Sequence, residues 1–267
     1  MYRRILIPVD EPSEVEPLVR FGAGLLDADG EIRVLHIIPT TSIPEVTREW
    51  RASVNIVVPA HEAGAALDVR VDPEVRASTD VTGEILESAE SHAVDAILMT
   101  LRGDRRSRNP FVGHTASALL HHAQCDVLIV NRLALADETV HRIILPTFQP
   151  TPPPKVLAVG EELAVRHHGI PLIALQLGPL GPDATVPPPT RSARGIAIHF
   201  HPVAGRGSVH VSRRRLPETI LAAAARERFG LLLVGEESVR PGVPLVTRRF
   251  LDELFRNAPC PVIAIHA

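Results

Sequence analysis

Short apolar segments alternate with segments of helical periodicity along the first half of the chain. The predicted strands are Ile5–Val9, Glu31–Ile38, Leu67–Val71, Ala96–Met99 and Val127–Val130. Helices are predicted between them: one is N-capped by Ser13, a second spans Thr82–His92 and a third spans Ala116–His122. Because strands that are apolar throughout must be covered on both faces, this order of elements predicts a parallel sheet between two layers of helices.

The second half of the chain repeats several short segments of the first half. Three pairs of segments match in the same order at offsets of 135 to 138 residues: Arg4–Pro8 with Arg142–Pro146, Asp95–Met99 with Gly230–Val234, and Ala123–Val130 with Ala258–Ile265. Matches in one order at nearly one offset indicate an internal repeat. We therefore predict an α/β fold of two tandem doubly wound domains, residues 1–136 and 137–267, each with a five-stranded parallel sheet and helices on both faces.

The second half departs from the first half where prolines and glycines accumulate. Pro152 is predicted at the first helical position after a Thr151 cap, because its missing N–H needs no partner there. The Pro- and Gly-rich stretch Gly178–Gly195 replaces a segment that is helix-compatible in the first half. We therefore expect this crossover to be shortened into a loop.

Composition and charge narrow the classes of function. The formal net charge is -3, whereas a general nucleic-acid binder usually carries a strong basic excess. No apolar run is long enough to span a membrane, and the first residues do not have the pattern of a secretory signal. We expect a cytoplasmic protein that binds neither nucleic acid nor membranes.

The cysteines and histidines do not have the spacing of a metal site. Cys125 and Cys260 each precede the last strand of a half, which indicates packing rather than a disulfide or a redox role. The adjacent histidines at 121–122 and 167–168 point in different directions on a helix. We therefore predict no metal site.

The strongest candidate for ligand chemistry is the segment 99–115, which follows a predicted strand and precedes a predicted helix. It holds Gly103 and Gly113, together with four arginines: Arg102, Arg105, Arg106 and Arg108. Unpaired N–H groups and the helix dipole favour an anion at a helix start, and guanidinium groups match phosphate oxygens. The segment is therefore predicted to hold phosphates, and a solvated surface loop is the alternative.

A second candidate, Asp10, follows the first strand at the edge where open α/β sheets bind ligands. A polar turn before the helix is its alternative role. His114 is also open to two interpretations, as a phosphate donor or as a capping or surface residue.

These motifs resemble the universal stress protein family in its tandem two-domain form. The resemblance rests on the opening strand with Pro8-Val9-Asp10, on a phosphate loop of the Gly-x2-Gly-x9-Gly-Ser/Thr type and on the final strand after Cys125. It implies an adenine nucleotide alpha hydrolase-like fold with ATP, accompanied by Mg, as the ligand. It also implies that the aspartate contacts ribose and base, that the glycines admit the phosphates and that the hydroxyl donates to them.

The first half keeps part of the family's motif. Asp10 and the last two glycines of the loop match. Thr100, however, takes the place of the first glycine, and His114 takes that of the hydroxyl residue, which Thr115 could supply one place later. The Cβ of Thr100 limits how closely a phosphate can approach the backbone at this position. The candidate nucleotide-binding residues are Pro8, Val9, Asp10, Ile37, Thr100, Arg102, Gly103, Gly113, His114 and Thr115.

The second half keeps less of the motif. Gly235 occupies the first glycine position, but Thr147 stands in place of the aspartate, so no carboxylate accepts from a ribose hydroxyl. Ser238 and Arg248 replace the other two glycines, and Arg249 replaces the hydroxyl residue. We expect this half to be a structural partner that binds no nucleotide.

No catalytic constellation emerges from the sequence, since no nucleophile lies beside a base and the phosphate loop has no lysine. The first hypothesis is a non-catalytic sensor or regulator, in which a nucleotide orders the segment 100–115 and thereby reports its presence to a partner. The alternatives are a structural or interaction stress protein without a nucleotide and, less favoured, a slow ATP hydrolase. The resemblance further implies an intramolecular pseudo-dimer in which Val127–Val130 faces Val262–Ile265, with a homodimer as an additional option.

Overall fold

The computed structural model describes residues 1–39, 47, 50–100, 114–131, 135, 140–147, 152–177, 187–202, 216–226, 230–235, 248–258 and 260–266. These residues form two compact units. Unit 1 contains the described residues up to 100 and from 114 to 129, and unit 2 contains those from 130 onward. The predicted boundary between residues 136 and 137 lies outside the described residues and stays a prediction, as does the pseudo-dimer.

Unit 1 is a parallel sheet with helical connections. Its strands are β1 Tyr2–Val9, β2 Leu26–Ile38, β3 Arg70–Ala77, β4 Ala96–Thr100 and β5 Asp126–Val130, and its helices are α1 Pro12–Ala23, α2 Val54–Leu67, α3 Val81–Ser91 and α4 His114–His122. The strand order is β3-β2-β1-β4-β5. The chain therefore steps outward from β1 and then returns across it to β4. With right-handed crossovers, this reversal places α1 and α2 on one face and α3 and α4 on the other, and each helix pair is in contact.

Unit 2 is built in the same way and has one additional strand. Its strands are β6 Arg142–Thr147, β7 Leu172–Gln176, β8 Thr190–Arg191, β9 Ala197–Pro202, β10 Gly230–Gly235 and β11 Val262–His266, and its helices are α5 Pro154–Arg166, α6 Leu216–Arg226 and α7 Arg248–Asn257. The order is β11-β10-β6-β7-β9-β8, with β8 antiparallel to β9. The predicted fold class, α/β with a mainly parallel sheet, is confirmed, although unit 2 has the antiparallel β8 in addition to five strands.

The first helix of each unit packs closely on its sheet through a glycine. A Cβ added at Gly22 of α1 would lie 3.4 Å from side-chain atoms of three sheet residues: Ile7, Ile32 and Leu98. A Cβ at Gly160 of α5 would lie 3.5 to 3.6 Å from three leucines of the unit 2 sheet. In both units a glycine therefore lets the first helix approach the strands that position the candidate site.

Two predicted helix starts were wrong for one physical reason. The N-cap of α1 is Glu11, followed by Pro12, so Ser13 lies inside the helix. The N-cap of α5 is Pro153, and Pro154, not Pro152, takes the first helical position. Proline has a fixed φ and no N–H, which suits it to this first position even where the preceding residue makes no side-chain cap.

The predicted third strand was also placed too early. Leu67 ends α2, and Asp68 follows in the left-handed region with φ 54°. The strand instead runs over Arg70–Ala77, where it pairs residue by residue with β2. Every second residue of this strand is charged and its six central residues are half-buried, because the strand lies at the edge of the sheet.

Candidate functional site

The carboxyl ends of β1, β2 and β4 lie at one edge of the unit 1 sheet, because these strands run in parallel. Parallel α/β sheets bind ligands at this edge, and we call it the candidate site. Asp10 follows β1 here and is exposed, whereas Val9 is buried and Pro8 is half-buried. An exposed carboxylate at this place can accept hydrogen bonds from hydroxyl groups of a ligand.

His36, two residues before the end of β2, lies beside Val9, the residue that precedes Asp10, and the sequence pattern did not single it out. It pairs with Val9 in the sheet register, and its Nδ1 lies 3.0 Å from the carbonyl oxygen of Val9. Because a carbonyl only accepts, Nδ1 donates, and Nε2 of the neutral ring is left as an acceptor. The predicted Ile37 follows it and is 7% exposed. A histidine within the otherwise apolar stretch Val34–Ile38 was the sequence signal for this residue.

A buried polar contact at the candidate site joins Thr100 to Glu14. The Oγ1 of Thr100 donates a hydrogen bond of 2.8 Å to Oε1 of Glu14, and each residue is only 7% exposed. Thr100 ends β4, and Glu14 lies in the first turn of α1. Burial of a carboxylate is costly unless a donor faces it. The hydroxyl of Thr100 supplies such a donor, which a glycine could not.

Glu14 was also missed by the sequence analysis, although a signal was present. The buried face of α1 includes Leu18 and Gly22, and Glu14 continues this face one turn toward the start of the helix. A glutamate at the head of an apolar stripe is accordingly a candidate for a buried carboxylate. Its partner could not be inferred, because Thr100 lies 86 residues away in the chain.

The predicted phosphate segment is described only at its two ends. Arg102, Gly103 and Gly113 lie outside the described residues, so their predicted role is not tested. His114 opens α4, two residues before the predicted start of this helix, and Thr115 lies half-buried in its first turn.

At the corresponding edge of unit 2, the strand registers correct one prediction. Strand β6 pairs with β10 in the same way as β1 pairs with β4. When the two strand pairs are aligned by these registers, Thr147 corresponds to Val9 and not to Asp10. Thr147 continues β6 and is fully buried. The residue at the position of Asp10 is Phe148, which lies outside the described residues.

Other predicted positions of unit 2 are described in part. Gly235 is the last residue of β10 and is buried. Arg248 and Arg249 open α7, and Ser238 lies outside the described residues. Gln176, which ends β7 opposite Thr147, is a further buried polar residue at 6% exposure.

A second polar cluster lies at the opposite edge of the unit 1 sheet. Tyr2 donates a hydrogen bond to Asp126, and Asp95 accepts from two backbone N–H groups at the start of β1. Burial, followed by the nearby charge of Asp126, raises the pKa of Tyr2 well above its ordinary value. Burial also raises the pKa of Cys125 and of Cys260 to about 11. Both thiols are therefore protonated near neutral pH, as expected for packing residues.

Among the described residues, no group of three or more His, Cys, Asp or Glu side chains is arranged to hold a metal ion. No helix in the described ranges is long and apolar enough to cross a membrane.

Comparison with known families and curated proteins gives one match. Residues 1–131 match the model of the universal stress protein family. No curated protein matches the chain.

Several solved structures resemble the whole chain. A universal stress protein from Archaeoglobus fulgidus DSM 4304 is 17% identical over 98% of this chain and 95% of that chain, with a TM-score of 0.65. The cytoplasmic domain of a prokaryotic cation chloride cotransporter is 9% identical over 100% of this chain and 96% of that chain, with a TM-score of 0.61. A functionally unknown protein from Pseudomonas aeruginosa PAO1 is 9% identical over 98% and 92%, with a TM-score of 0.52. These identities show a shared fold only.

Proposed function

We propose, on the premise that the chain belongs to the universal stress protein family through residues 1–131, that unit 1 binds ATP or a related adenine nucleotide. In this proposal the protein is a non-catalytic sensor or regulator in a cytoplasmic stress response. The observation that supports it most is the exposed carboxylate of Asp10 at the carboxyl end of β1. An aspartate at this edge of a parallel sheet is suited to accept hydrogen bonds from a ribose.

The other described residues at this edge suit a nucleoside. Val9, which precedes Asp10, and Ile37, which follows His36, are buried apolar residues, and the ring of His36 is oriented by its bond to the Val9 carbonyl. An apolar surface with a few oriented polar groups is the usual lining of a small-molecule site. The start of α4 at His114 adds a helix N-terminus that favours an anion.

The described residues suit the phosphates of ATP less well than they suit its nucleoside. The side chain of Thr100 occupies the first glycine position of the family's motif, and the Glu14 carboxylate lies directly behind it. When bound, Mg would neutralise part of the phosphate charge. The described residues therefore match the nucleoside half of ATP better than its triphosphate.

Binding without reaction is the expected behaviour of this site. The hydroxyl of Thr100 donates to the carboxylate of Glu14, and the segment 99–115 contains no lysine, so neither supplies an activated nucleophile or a phosphate-binding lysine at this edge. A slow ATP hydrolase is the less favoured alternative. Steady phosphate release that disappears in a Gly113→Val variant would support it over the sensor.

Thermal unfolding with added nucleotide tests the proposal. A ligand that binds the folded state stabilises it, by about 2.7 kcal/mol at a concentration one hundredfold above Kd. We expect Mg-ATP, AMP or adenosine to raise the Tm of the wild type and not that of Asp10→Ala. Asp29→Ala is the matched control, because Asp29 is an exposed aspartate at the other end of β2. Equal shifts in wild type and Asp10→Ala would remove Asp10 from the site.

A second candidate function is that of an interaction protein without a nucleotide. The contact between Thr100 and Glu14 favours it, because the side chain of Thr100 takes the place of a motif glycine and is bonded to a buried carboxylate. This function predicts no Tm shift with any adenine nucleotide in the wild type or in either variant.

A further inference from the structure

The contact between Thr100 and Glu14, which we call the Thr100–Glu14 pair, places a buried carboxylate at the candidate site. Its two residues lie on different elements, at the end of β4 and in the first turn of α1. The 2.8 Å hydrogen bond fixes the hydroxyl toward Oε1 of the carboxylate. Because each residue is only 7% exposed, solvent screens this carboxylate weakly.

The position of the Thr100–Glu14 pair in the fold places it on the side of the candidate site where phosphates of a ligand would lie. In a parallel α/β sheet, phosphates lie beyond the carboxyl end of a strand and against the start of the following helix. For β4, whose last residue is Thr100, the following helix is α4, which starts at His114. The pair therefore lies on the phosphate side of the candidate site. Asp10, at the end of β1, lies on the side proposed for the ribose.

Two effects then act together against a chain of phosphates. The threonine side chain keeps an anion away from the backbone at the end of β4. A carboxylate in a weakly screened position also repels an anion, and the repulsion grows with the charge of that anion. Adenosine has no phosphate charge and AMP has one phosphate, so both are affected less than ATP.

We propose that the Thr100–Glu14 pair makes unit 1 selective for an adenine nucleoside with no phosphate or one phosphate, in preference to ATP. This inference rests on the proposed nucleotide site and assigns its class of ligand. Glu14 acts as a specificity-determining residue through charge, and Thr100 acts through its side-chain volume and through the bond that holds Glu14.

Calorimetric titration of the full-length protein with adenosine, AMP and ATP, each with and without Mg, tests this inference. We expect the wild type to bind AMP at least about tenfold more tightly than ATP, a ratio equivalent to about 1.4 kcal/mol. In Glu14→Gln, which keeps the size of the side chain and removes its charge, this ratio should fall toward one, mainly through tighter binding of ATP. Thr100→Gly combined with Glu14→Gln should lower the ratio further.

Two variants serve as controls. Glu16→Gln removes a carboxylate from the same helix, but Glu16 is exposed at 62%, so the ratio should stay at its wild-type value. Thr100→Ser keeps the hydroxyl that bonds Glu14 and should retain most of the preference. If Thr100→Gly does not fold, Glu14→Gln alone decides the question, since it removes no side-chain volume.

The outcomes distinguish this inference from the proposed function. Binding of ATP at least as tight as that of AMP in the wild type would overturn the ligand preference and leave the nucleotide site standing. Weaker binding of Mg-ATP by Glu14→Gln would also overturn the ligand preference and leave the nucleotide site standing. The carboxylate would then favour the binding of the phosphates. If no variant binds adenosine, AMP or ATP, the proposed function fails and this inference fails with it.

Discussion

The phenol of Tyr2 donates a 2.9 Å hydrogen bond to Oδ2 of Asp126, which lies 124 residues later in the chain. Tyr2 is 3% exposed and Asp126 is 6% exposed, so the bond is buried within unit 1. Asp95 adds a second link, because its carboxylate accepts from the backbone N–H groups of Arg3 and Arg4 at 2.7 and 2.8 Å. The start of β1 is therefore tied to the starts of β4 and β5, at the edge opposite the candidate site.

Removal of the Tyr2 hydroxyl should destabilise the protein without affecting the candidate site. We expect Tyr2→Phe to lower the free energy of unfolding by about 1–3 kcal/mol, because a buried carboxylate loses a donor. Urea denaturation measures this loss. The double variant Tyr2→Phe with Asp126→Asn should be less destabilised than the sum of the single variants. A loss below about 0.5 kcal/mol in Tyr2→Phe would show that the bond contributes little.

The same bond predicts a dependence of stability on pH. Burial and the charge of Asp126 raise the pKa of Tyr2 above its ordinary value of 10.0. The tyrosine of the unfolded chain therefore ionises at a lower pH than that of the folded chain. Its contribution is fully present below about pH 10 and decreases as the pH rises beyond that value. Above about pH 10, the unfolding free energy of the wild type should fall more steeply than that of Tyr2→Phe, and parallel curves would contradict this.

The two cysteines should react slowly with alkylating reagents in the folded protein. The pKa of each is raised to about 11, chiefly by burial, so little thiolate is present near neutral pH. We expect labelling by iodoacetamide to be slow at pH 8 and to accelerate toward pH 11. Cys125 should react faster than Cys260, since it is the more exposed of the two. Rapid labelling at pH 7 would instead indicate an activated thiol.

The edge strand β3 should depend in part on an ion pair. Arg76 bridges Glu74 of its own strand at 2.6 Å and Glu84 of α3 at 3.1 Å, and all three side chains are about one quarter exposed. We expect Glu84→Gln to cost up to about 1 kcal/mol of stability, with a smaller loss at high salt. Glu87→Gln, at an exposed position of the same helix, is the control and should have little effect. A salt-independent loss in Glu84→Gln would point to packing instead of charge.

The strands of the fold were largely predictable because their apolar runs are long enough to identify them. Ile5–Val9 and Ala96–Met99 both lie inside observed strands. The strand Arg70–Ala77 could not be placed in this way, because charged residues alternate with its apolar residues and several of them have partners on neighbouring elements. The starts of α1 and α5 were also missed, since a serine or threonine was expected as the cap, whereas the caps are Glu11 and Pro153.

The candidate site was predictable only where its residues follow strands in the chain. Asp10 was selected because it directly follows an apolar run, and Thr100 because it takes the place of the first glycine of the motif. Glu14 and His36 were not selected, because their roles depend on partners that the fold brings near. The Thr100–Glu14 contact joins two elements that are separated by most of unit 1. No local pattern of residues encodes such a contact.

Isothermal titration of the full-length protein with adenosine, AMP and Mg-ATP decides whether unit 1 holds an adenine nucleotide, because it measures the number of sites as well as their affinity. We expect one adenine-nucleotide site per chain, located in unit 1, that is lost in Asp10→Ala and retained in Asp29→Ala. The absence of binding heat with all three ligands in the wild type, or unchanged affinity in Asp10→Ala, would contradict a nucleotide site built on Asp10.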